Sequence, residues 1–197
     1  MLKINLQKNN RGYTIIETMI AVSIFLVVIT IGMEALLNAN FIHRKSQDMR
    51  SIMDNLSFIM EDMSRNLRTG YNYHCSDNLS NFGTPLSCTS GGTVIAFEPT
   101  DGNPANDIDQ WIYYFGGNGK IYKSTDGLTG SPTQLTPDEV VIDSISSFTV
   151  IGAEPPPDTQ QPFVTIRLVG TITYRNIDTP FSLQTSVSQR LVDVVVP

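Results

Sequence analysis

The sequence predicts an α+β fold: a long N-terminal helix, apolar in its first half and amphipathic in its second, packed on an antiparallel β-sheet domain. Three observations carry that expectation. All 11 prolines lie at or after Pro85, and Gly32 is the only glycine between Tyr13 and Thr69, so that stretch is free to stay helical. After Gly70, Gly, Pro, Asn, Ser and Asp recur every few residues, the punctuation of strands and turns. Late in the chain two segments alternate apolar and polar residues, the period of strands with one buried face.

Composition narrows the class further. The 197 residues are 41% hydrophobic and 16% charged, too apolar and too weakly charged for a disordered chain. Nineteen acids against 13 Lys and Arg leave a net charge of -6, which excludes the basic face of a general nucleic-acid binder. Two cysteines are too few for a disulfide-dense scaffold or a four-thiolate zinc site.

The first element begins with an address. Residues 1–12 carry Lys3, Lys8 and Arg11 and no acid, and from Tyr13 to Met33 the single charge is Glu17. A helix over that apolar run rises roughly 30 Å, the depth of one bilayer core. The positive leader predicts a cytoplasmic N-terminus with the bulk of the chain outside. A cleaved secretory signal is the first alternative, but Ile29-Thr-Ile-Gly-Met33 offers no convincing A-x-A site. A plain anchor is the second, and it leaves Glu17 unexplained. A carboxylate inside a membrane helix costs a few kcal/mol, so it needs a partner, a role, or an interfacial place near the positive helix start.

The string Arg11-Gly12-Tyr13-Thr14-Ile15-Ile16-Glu17-Thr18-Met19-Ile20-Ala21-Val22 resembles the processing and methylation motif of type IV prepilins and type II secretion pseudopilins. A short basic leader ending in Gly, an aromatic, Thr, two aliphatics and Glu at the head of an apolar run coincide over about a dozen residues. The resemblance implies that Gly12 ends a leader cut by a prepilin peptidase and that Tyr13 becomes an N-methylated N-terminus. Phe is commoner at that place; Tyr13 keeps the aromatic character. The resemblance further implies that Glu17 pairs with the α-amino group of a neighbouring subunit. Implied partners are the peptidase, other pilin or pseudopilin subunits, the inner-membrane assembly machinery and the membrane. The implied location is the cytoplasmic membrane, single-pass with the C-terminal domain outside, and then a pilus or pseudopilus fibre. The helix-kinking proline of many major pilins is absent, and Gly32 is the one local weak point.

From Phe41 the predicted helix turns amphipathic. At about 100° per residue, Met49, Ile52, Met53, Leu56, Ile59, Met60, Met63 and Leu67 share one face, with Arg50, Asp54, Glu61, Arg65 and Arg68 opposite. The stripe reads as core rather than as a promiscuous methionine-rich binding face. Arg50/Asp54 and Glu61/Arg65 have i,i+4 spacing, and Phe58 lies alone on the polar side. A straight helix from Tyr13 to Thr69 would run roughly 85 Å. Predicted segments are therefore a leader at 1–12, an apolar helix at 13–40, its amphipathic half at 41–69, and a β-rich extracytoplasmic domain at 70–197.

Gly70 is expected to end the helix. Cys75 and Cys88 follow in a polar stretch; outside the cytoplasm a disulfide is the best reading, with a free pair or metal binding with His74 as alternatives. Strands are expected at Thr93–Glu98, Gln110–Phe115, Lys120–Lys123 (after a turn at Gly116-Gly-Asn-Gly119) and Val140–Ile151. Val164, Ile166, Leu168, Ile172 and Tyr174 alternate with Thr165, Arg167, Thr171 and Thr173. A turn at Arg175–Pro180 is expected to lead into a second strand, with Phe181, Leu183, Val187 and Leu191 facing inward. Glu154 to Pro162 reads as a loop. The helix end at Met49–Arg68 and the closing Phe181–Val192 strand are similar to the larger minor subunits, the J-type pseudopilin and the W-type minor pilin.

Catalytic chemistry is not legible. His43 and His74 are the only histidines, and no Ser-His-Asp, Cys-His or metalloprotease spacing and no phosphate-binding glycine loop appears. Asp101-Gly-Asn-Pro-Ala-Asn-Asp-Ile-Asp109 has the composition of a calcium loop but lacks the D-x-[DN]-x-[DN]-G order and the terminal Glu, so a solvated turn is expected; the family that the chain resembles, some of whose members bind the ion, leaves a calcium site as the alternative, and no cofactor is expected. The function expected is a non-catalytic structural subunit. The alternative is a singly anchored extracytoplasmic binding or adhesion protein that never assembles; an exported enzyme is disfavoured.

Overall fold

A computed structural model describes residues 12–155, 160–174 and 177–191. The leader up to Arg11, part of the Glu154–Pro162 loop, Arg175 and Asn176 of the expected turn, and Val192 of the closing strand lie outside the described residues. The chain divides into two compact units, Met1–Asp48 and Met49–Pro197. One helix, α1 (Ile15–Thr69), contributes to both.

In the first unit α1 starts at a capped end and stays exposed along its apolar run. In the second unit its remaining turns supply one wall of the core. Ile52, Leu56, Ile59, Met60, Met63 and Leu67 are buried there, and Met49 and Met53 pack partly against them. The stripe is core, as its period predicts. Phe58 is 65% exposed, as expected for the polar face. The expected Glu61–Arg65 pair is not the one formed: Arg65 reaches Asp62 instead, at 3.7 Å.

The rest of this unit is two antiparallel sheets. The strands are β1 (Tyr71–Ser76), β2 (Cys88–Gly92), β3 (Val94–Glu98), β4 (Trp111–Phe115), β5 (Ile121–Ser124), β6 (Thr133–Gln134), β7 (Val140–Ile142), β8 (Ser147–Ile151), β9 (Phe163–Tyr174) and β10 (Ile177–Ser188). One sheet runs β1-β3-β4-β5-β6; the other runs β10-β9-β8-β2, with β7 also pairing β9. The segments β1, β2 and β6 are additions to the sequence reading, and the expected Val140–Ile151 strand is two strands broken at 143–146. In β9, Val164, Ile166, Leu168 and Ile172 are fully buried, the alternation the sequence displays. The turn into β10 is shorter than expected, because Pro180 sits inside the strand, opposite Thr171. Since β10 is an edge, a missing N–H there costs no ladder bond on the open side. Leu191 is exposed, beyond the strand's end, so the expected inward set stops at Val187.

Helix α1 ends because each of its last carbonyls is taken. Gly70 N–H donates to Asn66 O (3.0 Å), Tyr73 OH to Leu67 O, Arg190 N–H to Arg68 O (2.8 Å) and the Thr100 hydroxyl to Thr69 O (3.1 Å). The Tyr73 hydroxyl is buried, which pushes its pKa well above the ordinary range. Gly70 is not in the left-handed conformation of a C-capping glycine. Its need is space: a Cβ there would fall 2.3 Å from Cδ2 of Phe97.

Polar latches complete the packing. Asn66 donates to Tyr113 OH (2.8 Å) and to Asp62 (3.0 Å), while Lys123 pairs with Asp62 and lies 4.2 Å above the Trp111 ring. Lys120 donates to the carbonyls of Pro137, Asp138 and Val140, joining the start of β5 to the entry of β7. Gly119, at φ +72°, closes the hairpin between β4 and β5, where an L side chain would be strained.

Candidate functional site

The candidate site is the head of α1. Thr14 precedes the first helical residue, and its hydroxyl accepts from the Glu17 amide at 3.3 Å, an N-cap that satisfies one of the free donors of the first turn. Thr14-Ile-Ile-Glu17 is also the S/T-x-x-E spacing of a capping box, a signal the sequence carried and the reading above did not use. Glu17 therefore sits in the first turn, where the helix dipole favours a negative charge. Gly12 and Tyr13 lie just ahead of the cap. Nothing lies within 4 Å of a Cβ built on Gly12, and Tyr13 is 82% exposed. Among the described residues Glu17 makes no ion pair.

Behind this head the helix presents a continuous apolar surface. Ile15, Ile16, Met19, Ile20 and every large aliphatic onward to Leu37 are exposed, and an 18-residue window reaches a mean hydropathy of 2.5. The polar side chains in the run are satisfied internally: Thr18, Ser23 and Thr30 each donate a hydroxyl hydrogen to a carbonyl three or four residues back, at 2.8 Å. Such a helix shows apolar surroundings no unpaired hydroxyl hydrogen. The charged exceptions are Glu17 at the head and Glu34 near the far end of the run.

Comparison with known families decides what this head is. Residues 7–33 match the prokaryotic N-terminal methylation motif. The chain carries a prepilin-type N-terminus. No curated protein and no solved structure matches the chain. With the motif joined to a long helix on antiparallel sheets, the architecture is that of a pilin- or pseudopilin-like structural protein. One helix of the pilin-like chain is long and apolar enough to cross a membrane.

The other residues singled out in the sequence fall as follows. Cys75 and Cys88 form a disulfide with Cα atoms 5.5 Å apart. Because Cys75 is in β1 and Cys88 in β2, the bond staples one sheet to the other. Next to it, Ser87 donates both its amide and its hydroxyl to the Glu154 carboxylate, at 3.0 and 2.5 Å. Those bonds hold the Glu154 carboxyl below the usual carboxylate range, against a weaker opposing effect of burial. His43 is exposed beside Gln47, whereas His74 is buried with Nδ1 2.7 Å from Thr84 O. Among the described residues no three His, Cys, Asp or Glu side chains form a metal cage.

The Asp101–Asp109 segment links β3 to β4 and is largely self-bonded: Asn103 accepts from the Ala105 amide, Asn106 from the Ile108 amide, and Asp109 from the Asn103 amide at 2.9 Å. Sequence reasoning missed the residues that flank it. Glu98 is 0% exposed at the end of β3, and Gln110 is 3% exposed before β4. A buried acid directly after Val94-Ile-Ala-Phe97 was a visible signal, since such a residue needs a partner.

Proposed function

We propose that this pilin-like chain is cut between Gly12 and Tyr13 by a prepilin peptidase, N-methylated at Tyr13, and assembled into a type IV pilus or pseudopilus. The observation that carries the reading is the head of α1: Glu17, the one charge between Tyr13 and Met33, in the first turn of an apolar helix that begins beside an open Gly12–Tyr13 bond. A lone carboxylate in a low-dielectric bundle is costly, and an opposite charge beside it restores much of that cost. The new α-amino group of a neighbouring subunit supplies that charge. Glu17 then sets the register of one helix against the next. A minor position is supported by the build of the second unit, whose two sheets exceed what a simple repeating subunit needs. The chain first resides in the cytoplasmic membrane with its β-rich part outside, where the Cys75–Cys88 bond persists.

The test is intact-protein mass spectrometry after co-expression with a prepilin peptidase. The expected product starts at methylated Tyr13, and replacing Gly12 by a bulky residue blocks its formation. An unprocessed Met1 terminus in mature cells would sink the reading. Processing without incorporation into filaments would favour the singly anchored binding protein instead.

A further inference from the structure

Strand β10 is an edge along its whole length, and its register with β9 runs unbroken from Ile177 to Ser188. Its backbone groups point alternately to β9 and to the open side, and two hydrogen bonds identify the open set. Gln189 N–H donates to Pro162 O on the β9 side at 3.0 Å, whereas Arg190 N–H donates to Arg68 O of α1 at 2.8 Å. By the strand's period of two, the N–H groups of Ser182, Gln184, Ser186 and Ser188 share the side of Arg190 and face α1. Pro180 belongs to the same set and fits because no donor is needed there. No strand pairs with that side among the described residues. From Phe181 to Ser188 there is neither a charge nor a proline, so the edge lacks the usual devices that keep another strand away.

A groove runs between this edge and α1. Its first part is a cavity of about 340 Å³ walled by Ser57, Met60 and Ser64 of α1 and by Leu183 and Thr185 of β10. A second hollow shares Ser64 and Thr185 with it and adds Arg65 and Arg68, and a third shares Arg68 and adds Ser188 and Arg190. The groove thus passes from an apolar end to a basic one. Three guanidinium groups line it against one carboxylate, Glu61, in a chain of net charge -6. Arg65 meets Asp62 alone, at 3.7 Å, and shares it with Lys123; Arg68 and Arg190 make no ion pair among the described residues. The Ser64 hydroxyl, on the wall of the first two hollows, is buried without a hydrogen-bond partner.

A buried hydroxyl without a partner calls for a polar ligand, and the arginines call for an anionic one. The open N–H groups add a stricter demand, a row of acceptors at the spacing of a strand. A strand of another chain supplies that row through its carbonyls and sends alternate side chains into the groove. We propose that the groove between α1 and β10 binds an extended acidic segment of another polypeptide, added as a strand to β10. One apolar side chain of the segment fills the cavity between Met60 and Leu183. A carboxylate about four residues along, on the same face, meets Arg65, Arg68 and Arg190. The opposite face of the segment stays in water beside the exposed Ser182, Gln184 and Ser186.

The test measures fluorescence polarisation of two dye-labelled peptides, acetyl-Ser-Leu-Thr-Val-Thr-Asp-Asp-amide and the same residues in reverse order, with the full chain in neutral detergent micelles. The two orders cover both strand directions, and the unprocessed chain is used, so the result is independent of leader cleavage. Saturable binding is expected. Arg68→Gln and Arg190→Gln keep their backbone bond and should each weaken binding about tenfold. Arg167→Gln, at an exposed position on the outer face of β9, should change it by less than about twofold. Backbone N-methylation of one alternate set of peptide residues should abolish binding and of the other set spare it, because only one edge of an added strand pairs with β10. Ser186→Pro removes an open N–H without touching a bond to β9, and should weaken binding about tenfold at an unchanged melting temperature. If Ser186→Pro fails to fold, the N-methylated peptides, which leave the protein unaltered, carry the test. Absence of binding up to millimolar peptide would overturn the proposal. So would equal effects of the two N-methylated sets, which would reduce the contact to attraction between arginines and acids, or binding undiminished in both arginine variants.

Discussion

At the scale of single residues, the head of α1 separates two jobs that lie three positions apart. Thr14 starts the helix through its hydroxyl, and Glu17 contributes a charge that the chain itself does not answer. Thr14→Ala removes the cap at a cost of about 1 kcal/mol to the first turn. Amide hydrogen exchange at Glu17 should then speed up roughly fivefold, and Thr14→Ser should restore most of the protection. Glu17→Gln has a different signature. It removes the charge that membrane insertion opposes, so insertion should be unchanged or better. Filament incorporation should fall, because the neighbouring amine loses its partner. Normal incorporation of Glu17→Gln in a filament pull-down would show that Glu17 is an interfacial residue and nothing more.

At the scale of elements, the joint between the two sheets is the sensitive place. The Cys75–Cys88 bond and the Ser87–Glu154 hydrogen bonds lie side by side there, one covalent and one titratable. Glu154 has its pKa lowered in the folded protein, so the unfolded chain binds more protons as the pH falls. Its stabilisation is present above the ordinary carboxylate pKa and is lost as the pH falls through the folded value. Urea melts at pH 7 and pH 3.5 should therefore show a smaller loss of stability in Ser87→Ala than in the parent, since the variant has already lost the hydroxyl bond and keeps only the amide one. An equal loss in both would assign acid sensitivity to other carboxylates. Replacing both cysteines by alanine should lower stability by about 2–4 kcal/mol, read from the urea midpoint. Gly70→Ala tests the other junction: with Phe97 in the way, overpacking should cost about 1–3 kcal/mol.

At the scale of the whole molecule, the division at Asp48 and Met49 has a chemical meaning. Residues before it expose their apolar side chains, while the helix turns after it bury theirs in the core of the β-rich unit. Deleting residues 1–40 should accordingly give a soluble monomer that melts cooperatively and contains the disulfide when made in an oxidising compartment. A fragment starting at Gly70 loses Leu56, Met63 and Leu67 from the core and should aggregate, because the sheets' apolar faces are left open. Size-exclusion chromatography with chemical melting distinguishes the two. A soluble, cooperatively folding fragment from Gly70 would return the methionine stripe to the role of a partner-binding face.

Local covalent pattern by itself determined the long helix, its apolar and amphipathic halves, the long β9 strand and the prepilin-type head. Each of these depends on residues near one another in sequence: an absence of proline, a period of 3.6 or 2, a basic leader beside a single Glu. The two-sheet arrangement, the strands β1, β2 and β6, and the break between β7 and β8 were decided by tertiary structure. Tyr71–Ser76 lacks an aliphatic side chain and Cys88–Gly92 is small, polar and glycine-bearing, and they become strands because β3 and β8 offer them ladder partners. Gly70 illustrates the same division. Its place at the helix end is visible in the sequence, but the reason for it is the ring of Phe97, which only the fold brings there. So too with Glu98: the sequence displays an acid after an apolar strand, and only the packed turn shows that its second oxygen is left without a donor. Periodicity reports which face of an element is buried; what that face meets depends on chain segments far away, and those meetings decide the chemistry.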